Sequence, residues 1–173
     1  MQSGFVRLAV AIGLGAAAAA VATVVLMFYP AYTAWSANPV PVLSEGGLEG
    51  YDQTVVYIGG VGLLADIADT PEKQSLGLGV RDSMDEGEAM LFPFDVEVRQ
   101  SFWMHGMKFP IDIIWLDSDK TVVHIEHNLQ PCTPLDCPSY NPEEEAKYVL
   151  ETVAGFSERR GIVEGTTADF QLG

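Results

Sequence analysis

The sequence predicts a mainly-β fold: a compact β-sandwich or distorted barrel with one or two short helices, preceded by one N-terminal transmembrane helix. Three observations lead there. Seven or so short runs rich in apolar, β-branched and aromatic residues are separated by Gly-, Pro-, Asn- and Asp-containing turns. Only two stretches after residue 50 carry helix signals, and both are brief. One uncharged run near the N-terminus is long enough to cross a bilayer.

That run, Leu8 to Phe28, is dominated by Ala, Val, Leu, Ile and Gly. As a helix its 21 residues extend roughly 31 Å, matching a hydrocarbon core of ~30 Å. A secretory signal has a shorter apolar core, so the length favours a retained anchor. Small residues at Ala34-Trp35-Ser36-Ala37 offer a cleavage site, in which case the domain is secreted. Arg7 precedes the run and no Lys or Arg follows until Lys73, so the N-terminus is expected in the cytoplasm and the C-terminal domain outside. Tyr29, Tyr32 and Trp35 fit an interfacial aromatic belt. The expected organisation is an anchor or uncleaved signal over 1–29, a Pro- and Gly-rich linker over 30–50, and an extracytoplasmic β domain over 51–173.

Within the domain, Thr54 to Ile58 and Leu63 to Ala68 form a hairpin around Gly59-Gly60. A short helix starts at Asp69-Thr70-Pro71-Glu72, where Asp69 or Thr70 caps, Pro71 fits the first turn and Glu72 meets the positive end of the dipole; Gly77 and Gly79 end it early. Ala89 to Phe94, Gln100 to Met104, Ile111 to Asp117 and Thr121 to Glu126 are four more strands, the last two joined by the turn Asp117-Ser118-Asp119-Lys120. Lys147 to Val153 is another strand. A helical turn around Phe156 to Arg160 and a final strand near Ala168 to Leu172 complete the chain.

Charge narrows the function classes. Arg7 is the only charged residue before Glu45, so the remaining eight basic and all 24 acidic residues give the rest of the chain a net charge of −16. Such a surface repels phosphate backbones and anionic headgroups, and no nucleic-acid partner is expected. Cys132 and Cys137, the two cysteines, are expected to form a disulfide in an oxidising compartment, pinning a small Pro-stiffened loop rather than holding the fold. A C-x4-C pair has neither thioredoxin-like spacing nor a second Cys pair for zinc.

Several ordered motifs carry a family resemblance. They are Ala68-Asp69-Thr70-Pro71-Glu72 with Gly77-Leu78 and Arg81, Glu88-Ala89-Met90-Leu91-Phe92, Phe102-Trp103-Met104, Pro110-Ile111-Asp112-Ile113, Ala146-Lys147-Tyr148-Val149-Leu150-Glu151, and Ala154-Gly155. Together, from about Val55 to Leu172, they resemble the prokaryotic family catalogued as domain of unknown function 192. The resemblance implies a compact, mainly-β domain, often secreted or anchored, and no established reaction. The chain departs from the pattern at His105, where Lys is common, and at Met107, where Thr is frequent, which puts in doubt any role for a basic side chain there.

Three residues invite chemistry. Asp112 shares a strand face with Ile114 and Leu116, while Ile111, Ile113 and Trp115 take the other, so a carboxylate is expected between apolar layers and needs a partner. Arg81, Arg99 and Lys108 are the available cations, with Arg81 the expected one. Glu151 reads either as part of an exposed Lys147–Glu151 face or as a carboxylate meeting Asp112 across neighbouring strands, where two carboxyls could run acid–base hydrolysis. Trp103 is a candidate ring platform for a ligand. Met104, His105 and Met107 bring Cu(I) to mind, but His124 and His127 face opposite ways on a strand, and no metal or cofactor is expected.

The leading expectation is a non-catalytic binding or accessory module of the cell envelope, held by its N-terminal helix, with a small-molecule or envelope-protein ligand near Trp103, Asp112 and Arg81. The alternatives are a small hydrolase using Asp112 and Glu151, and a structural envelope protein without a ligand.

Overall fold

The computed structural model describes residues 47–173, within the unit Pro39–Gly173. The expected anchor and most of the linker lie outside the described residues. Among those described, no helix is long and apolar enough to cross a membrane.

Among the described residues, eight strands and two short helices follow one another. Strands β1 (Gln53–Ile58) and β2 (Val61–Ile67) form the expected hairpin, with Gly59 and Gly60 both at positive φ. Helix α1 (Pro71–Leu76) begins where the sequence places it, the Thr70 side chain accepting from the Lys73 N–H, and a 3-10 turn (Gly77–Val80) continues from it. Then come β3 (Glu88–Val98), β4 (Phe102–Trp103), β5 (Ile111–Leu116), β6 (Val122–Leu129), β7 (Ser139–Tyr140), β8 (Ala146–Val153) and α2 (Phe156–Arg160). The turn between β5 and β6 is held by Asp117, whose Oδ1 accepts from the N–H groups of Asp119 and Thr121.

The architecture corrects the expected sandwich or barrel. Six strands form one open sheet in the order β1-β2-β3-β8-β5-β6, and β4 pairs with β7 as a separate ribbon. All neighbours in the six-stranded sheet are antiparallel except β2 and β3, which are parallel. A parallel pair needs a crossover. Residues 68–87 supply it, carrying α1 and the 3-10 turn. The expected last strand is instead two isolated bridges, Thr121↔Thr167 and Tyr57↔Asp169. The C-terminal segment thus hydrogen-bonds next to β6 and to β1, the two edge strands, which do not pair with each other.

Both faces of the sheet are buried, and every residue of β5 is inaccessible. On one face Val56, Leu63, Leu91, Ile114 and Leu150 pack under Phe156, Ile162 and Phe170. On the other, Met90, Phe92, Ile113, Trp115 and Val149 pack under Leu78, Met84 and Met104. The crossover covers the second face; the C-terminal segment covers the first.

Cys132 and Cys137 form the expected disulfide across a loop outside the main sheet. Because the closed loop is so short, replacing both with Ser is expected to cost about 2 kcal/mol or less. Urea denaturation checks this, and the far-UV circular dichroism should be unchanged.

Candidate functional site

Glu151 lies near the middle of β8, opposite Met90 of β3 on one side and Ile113 of β5 on the other. Residues directly opposite in a ladder project to the same face. Glu151 therefore points toward the layer that holds Met90, Ile113 and Val149. It is 4% exposed, so the exposed Lys–Glu face expected from the sequence is not what forms. Alternation along the strand was correct; what lies above it is the 3-10 turn, with Leu78 fully buried over this face.

Beside Glu151 is a cavity of about 140 Å³. One wall comes from the end of α1 and the 3-10 turn, with Gln74, Ser75 and Gly77; the other comes from Phe92 and Phe94 of β3 and Phe102 and Trp103 of β4, with His105 beyond. Gly77, at φ 49°, lets the chain turn sharply out of α1, a backbone conformation that strains any residue with a side chain, and it lies against the Phe92 ring that lines the cavity. The aromatic wall is braced edge-to-face: Phe102 meets Phe92 at 5.1 Å, Phe94 at 6.4 Å and Trp115 at 5.9 Å between centroids. Trp103, 59% exposed, rests against His105 at 5.3 Å.

The electrostatics of Glu151 follow from burial. Its Oε2 is sealed from water and has no hydrogen-bond partner. Burial pushes its carboxyl up to about 8, against the opposing pull of a backbone hydrogen bond from Leu78. At neutral pH it stands as a carboxylic acid, able to donate as well as accept. A buried polar atom left without a partner costs free energy, and a ligand can supply one.

Asp112 is fully buried, as expected, but its partner is not Arg81. Its Oδ1 accepts from the N–H groups of Asn128 and Gly155, both at 2.8 Å, and its Oδ2 from the N–H of Ser157 at 2.9 Å. Helix α2 has no side-chain cap of its own at Gly155, and Asp112 supplies one from another strand. Arg81 binds Asp66 and, at 3.0 Å, Glu88 instead. Asp66 also accepts from Gln53 Nε2 at 2.8 Å and from the Leu48 N–H at 3.3 Å.

The pairing of Asp112 with Glu151 is likewise corrected. Ile113 faces Glu151, so Asp112, one residue earlier on the strand, faces the opposite side of the sheet. The two carboxyls are separated by the sheet itself and cannot share one substrate. Of the expected ligand residues, Trp103 lines the cavity and Asp112 and Arg81 do not. Met104 is buried in the core, while His105 and Met107 line the cavity. Among the described residues no group of three or more His, Cys, Asp or Glu could hold a metal ion. A second depression, of about 310 Å³ and lined by Ile125, His127, Ile162, Val163 and Glu164, contains no buried polar side chain.

Arg81 is structural, and losing it is costly because Asp66 is completely buried. Arg81→Met is expected to lower stability by about 3 kcal/mol, and Arg81→Lys to recover less than half, since a single ammonium cannot reproduce the fork that spans Asp66 and Glu88. Guanidinium denaturation of the three proteins checks this.

Comparison with known proteins places the geometry in a wider set. The family described as DUF192, uncharacterised ACR, matches residues 54–170. A UPF0127 protein of Pyrococcus abyssi is 37% identical over 92 residues, covering 52% of this chain and 71% of that protein. A UPF0127 protein of Thermococcus gammatolerans is 30% identical over 100 residues, 58% of this chain and 61% of that one. Among solved structures, a provisionally described transcription regulator from Sinorhizobium meliloti 1021 is similar with a TM-score of 0.63 at 26% identity, over 72% of this chain and 98% of that chain. A protein of unknown function from Novosphingobium aromaticivorans matches with a TM-score of 0.62 at 23% identity, over 75% of this chain and 94% of that one, a likeness of fold.

Proposed function

From the premise that this chain belongs to the DUF192 family, whose description assigns no activity, we propose that it is a non-catalytic binding module that holds a small ligand in the cavity beside Glu151. The observation that carries the reading is Glu151, which lines the cavity together with Trp103 and whose buried Oε2 has no hydrogen-bond partner. Aromatic rings with a few convergent polar groups are the usual make-up of a small-molecule site. A purely structural envelope protein has no use for a buried carboxyl oxygen left without a partner, so the cavity favours binding over that alternative.

We further propose that the module works outside the cytoplasmic membrane, held by residues 8–28 as a single-pass anchor with the N-terminus inside. The uncharged run, the lone Arg7 before it and a disulfide-bonded domain after it support that placement. The acidic surface argues against transferring DNA regulation from the Sinorhizobium protein, because it would repel phosphate.

Native mass spectrometry of the full chain, extracted from its own membranes in mild detergent, tests the binding reading. The expected result is a small-molecule adduct that survives native conditions, disappears on denaturation and is absent from Ser75→Trp, which plugs the cavity wall. A bare wild-type mass refutes it.

A further inference from the structure

We propose that the ligand is a small organic cation whose ammonium group enters the cavity and pairs with Glu151 as a carboxylate; this deepens the binding-module reading and rests on it. The chemistry of the walls makes the choice. Among the described residues no Lys or Arg lines the cavity, and the lining offers Glu151 no ammonium or guanidinium. The remaining wall is unusually aromatic: Phe92, Phe94, Phe102 and Trp103 bring ring surfaces whose negative faces attract an ammonium and gain nothing from an anion. The net charge of −16 that the chain carries after Arg7 concentrates cations around it. An anionic ligand would meet a buried carboxyl and a negative surface. A neutral one would use only the acid's hydrogen bonds.

The pairing carries a proton with it. Around Glu151 the packed elements present Met90 from β3, Ile113 from β5, Val149 from β8 and Leu78 from the 3-10 turn, none of which titrates. His105 is the other titratable group on the cavity wall, and Arg81, at the end of the 3-10 turn, is engaged by Asp66 and Glu88. Glu151 is an acid below about pH 8, so an ammonium that enters below that pH must displace the carboxyl proton into the buffer. Affinity then rises roughly tenfold per pH unit toward about 8 and flattens above it.

The test is isothermal titration calorimetry on the full chain in detergent between about pH 6 and 9, with n-butylammonium and its neutral isostere butan-1-ol as probes and Ser75→Trp in the same detergent as blank. An alkylammonium stays charged across this range, as the Lys side chain does. The expected result has three parts. The ammonium binds at least about tenfold more tightly than the alcohol at pH 8.5, it weakens about tenfold per unit below 8 with one proton released, and Glu151→Gln abolishes the preference. His105→Asn should keep the pH dependence, which assigns the proton to Glu151. Equal or tighter binding of the alcohol, or an affinity that does not rise with pH, overturns the cation while leaving the cavity a binding site. Failure of both probes also overturns it, and the native mass then decides the binding reading separately.

Discussion

Asp112→Ala is expected to lower the stability of the domain by about 4 kcal/mol, because it removes the one carboxylate on which three backbone donors converge, the Ser157 N–H among them fully buried. The N–H groups of Asn128, at the end of β6, and of Gly155 and Ser157, at the start of α2, converge from two separate stretches of chain on this one carboxylate. Asn128 is itself at φ 49° and Gly155, the residue that starts α2, at φ 75°, so Asp112 ties two points of irregular backbone to each other. Water cannot replace it at a side chain with no exposed surface. Asp112→Asn separates the contributions. Its carbonyl oxygen can keep the two bonds made by Oδ1, but its NH2 group then confronts the Ser157 N–H, donor against donor. A loss of about 2–3 kcal/mol is expected for Asn, less than for Ala. Urea denaturation of both variants measures the difference; equal losses would mean that the bonds to Oδ1 contribute little.

Glu151→Gln has the opposite sign and a pH dependence. A carboxyl whose value is raised from its ordinary 4.5 to about 8 by burial holds its proton in the folded state and sheds it on unfolding. Its contribution to stability is therefore complete below about 4.5 and is lost as the pH rises to about 8. Across that window the wild type should lose roughly 3–5 kcal/mol through this one group. Gln has nothing to ionise and fills nearly the same space. At pH 8.5 the variant is expected to be more stable than wild type by a similar amount, and at pH 4 the two should agree within about 1 kcal/mol. Thermal melts at the two pH values check this. Stability gained by removing a group that binding needs is the usual trade at a functional site.

Local chemistry explains what was legible in the sequence. Gly59-Gly60 between β1 and β2, the Thr70 cap with Pro71 behind it, and the Asp117 turn each determine a few residues through their own backbone and side-chain preferences, and each is found as read. The alternation in β5 also revealed a strand buried on both sides. What was not legible depends on long-range arrangement. The parallel pairing of β2 with β3 comes from a crossover that no local signal marks, and it is this crossover that lays Leu78 over Glu151. The two-residue ribbon strand β7 has too few residues for a period, and β4 is only two residues of the expected Gln100 to Met104. Asp112 shows the same division: its burial followed from its neighbours, while its three N–H partners, 16 to 45 residues away in the chain, did not. Arg81, expected from among three available cations to pair with Asp112, finds Asp66 because β2 and the end of the 3-10 turn meet. One signal for Glu151 was present in Val149 and Val153, its apolar same-face neighbours on β8.

The account rests on Glu151 standing at the cavity as a neutral acid with one oxygen, Oε2, left without a partner. Carbon-13 NMR of its side-chain carboxyl in the full chain, assigned by its disappearance in Glu151→Gln, follows that state directly across the pH range. A single transition near 8, moving to lower pH when n-butylammonium is added, is the predicted result. A transition near the ordinary 4.5, unmoved by the cation, would contradict it.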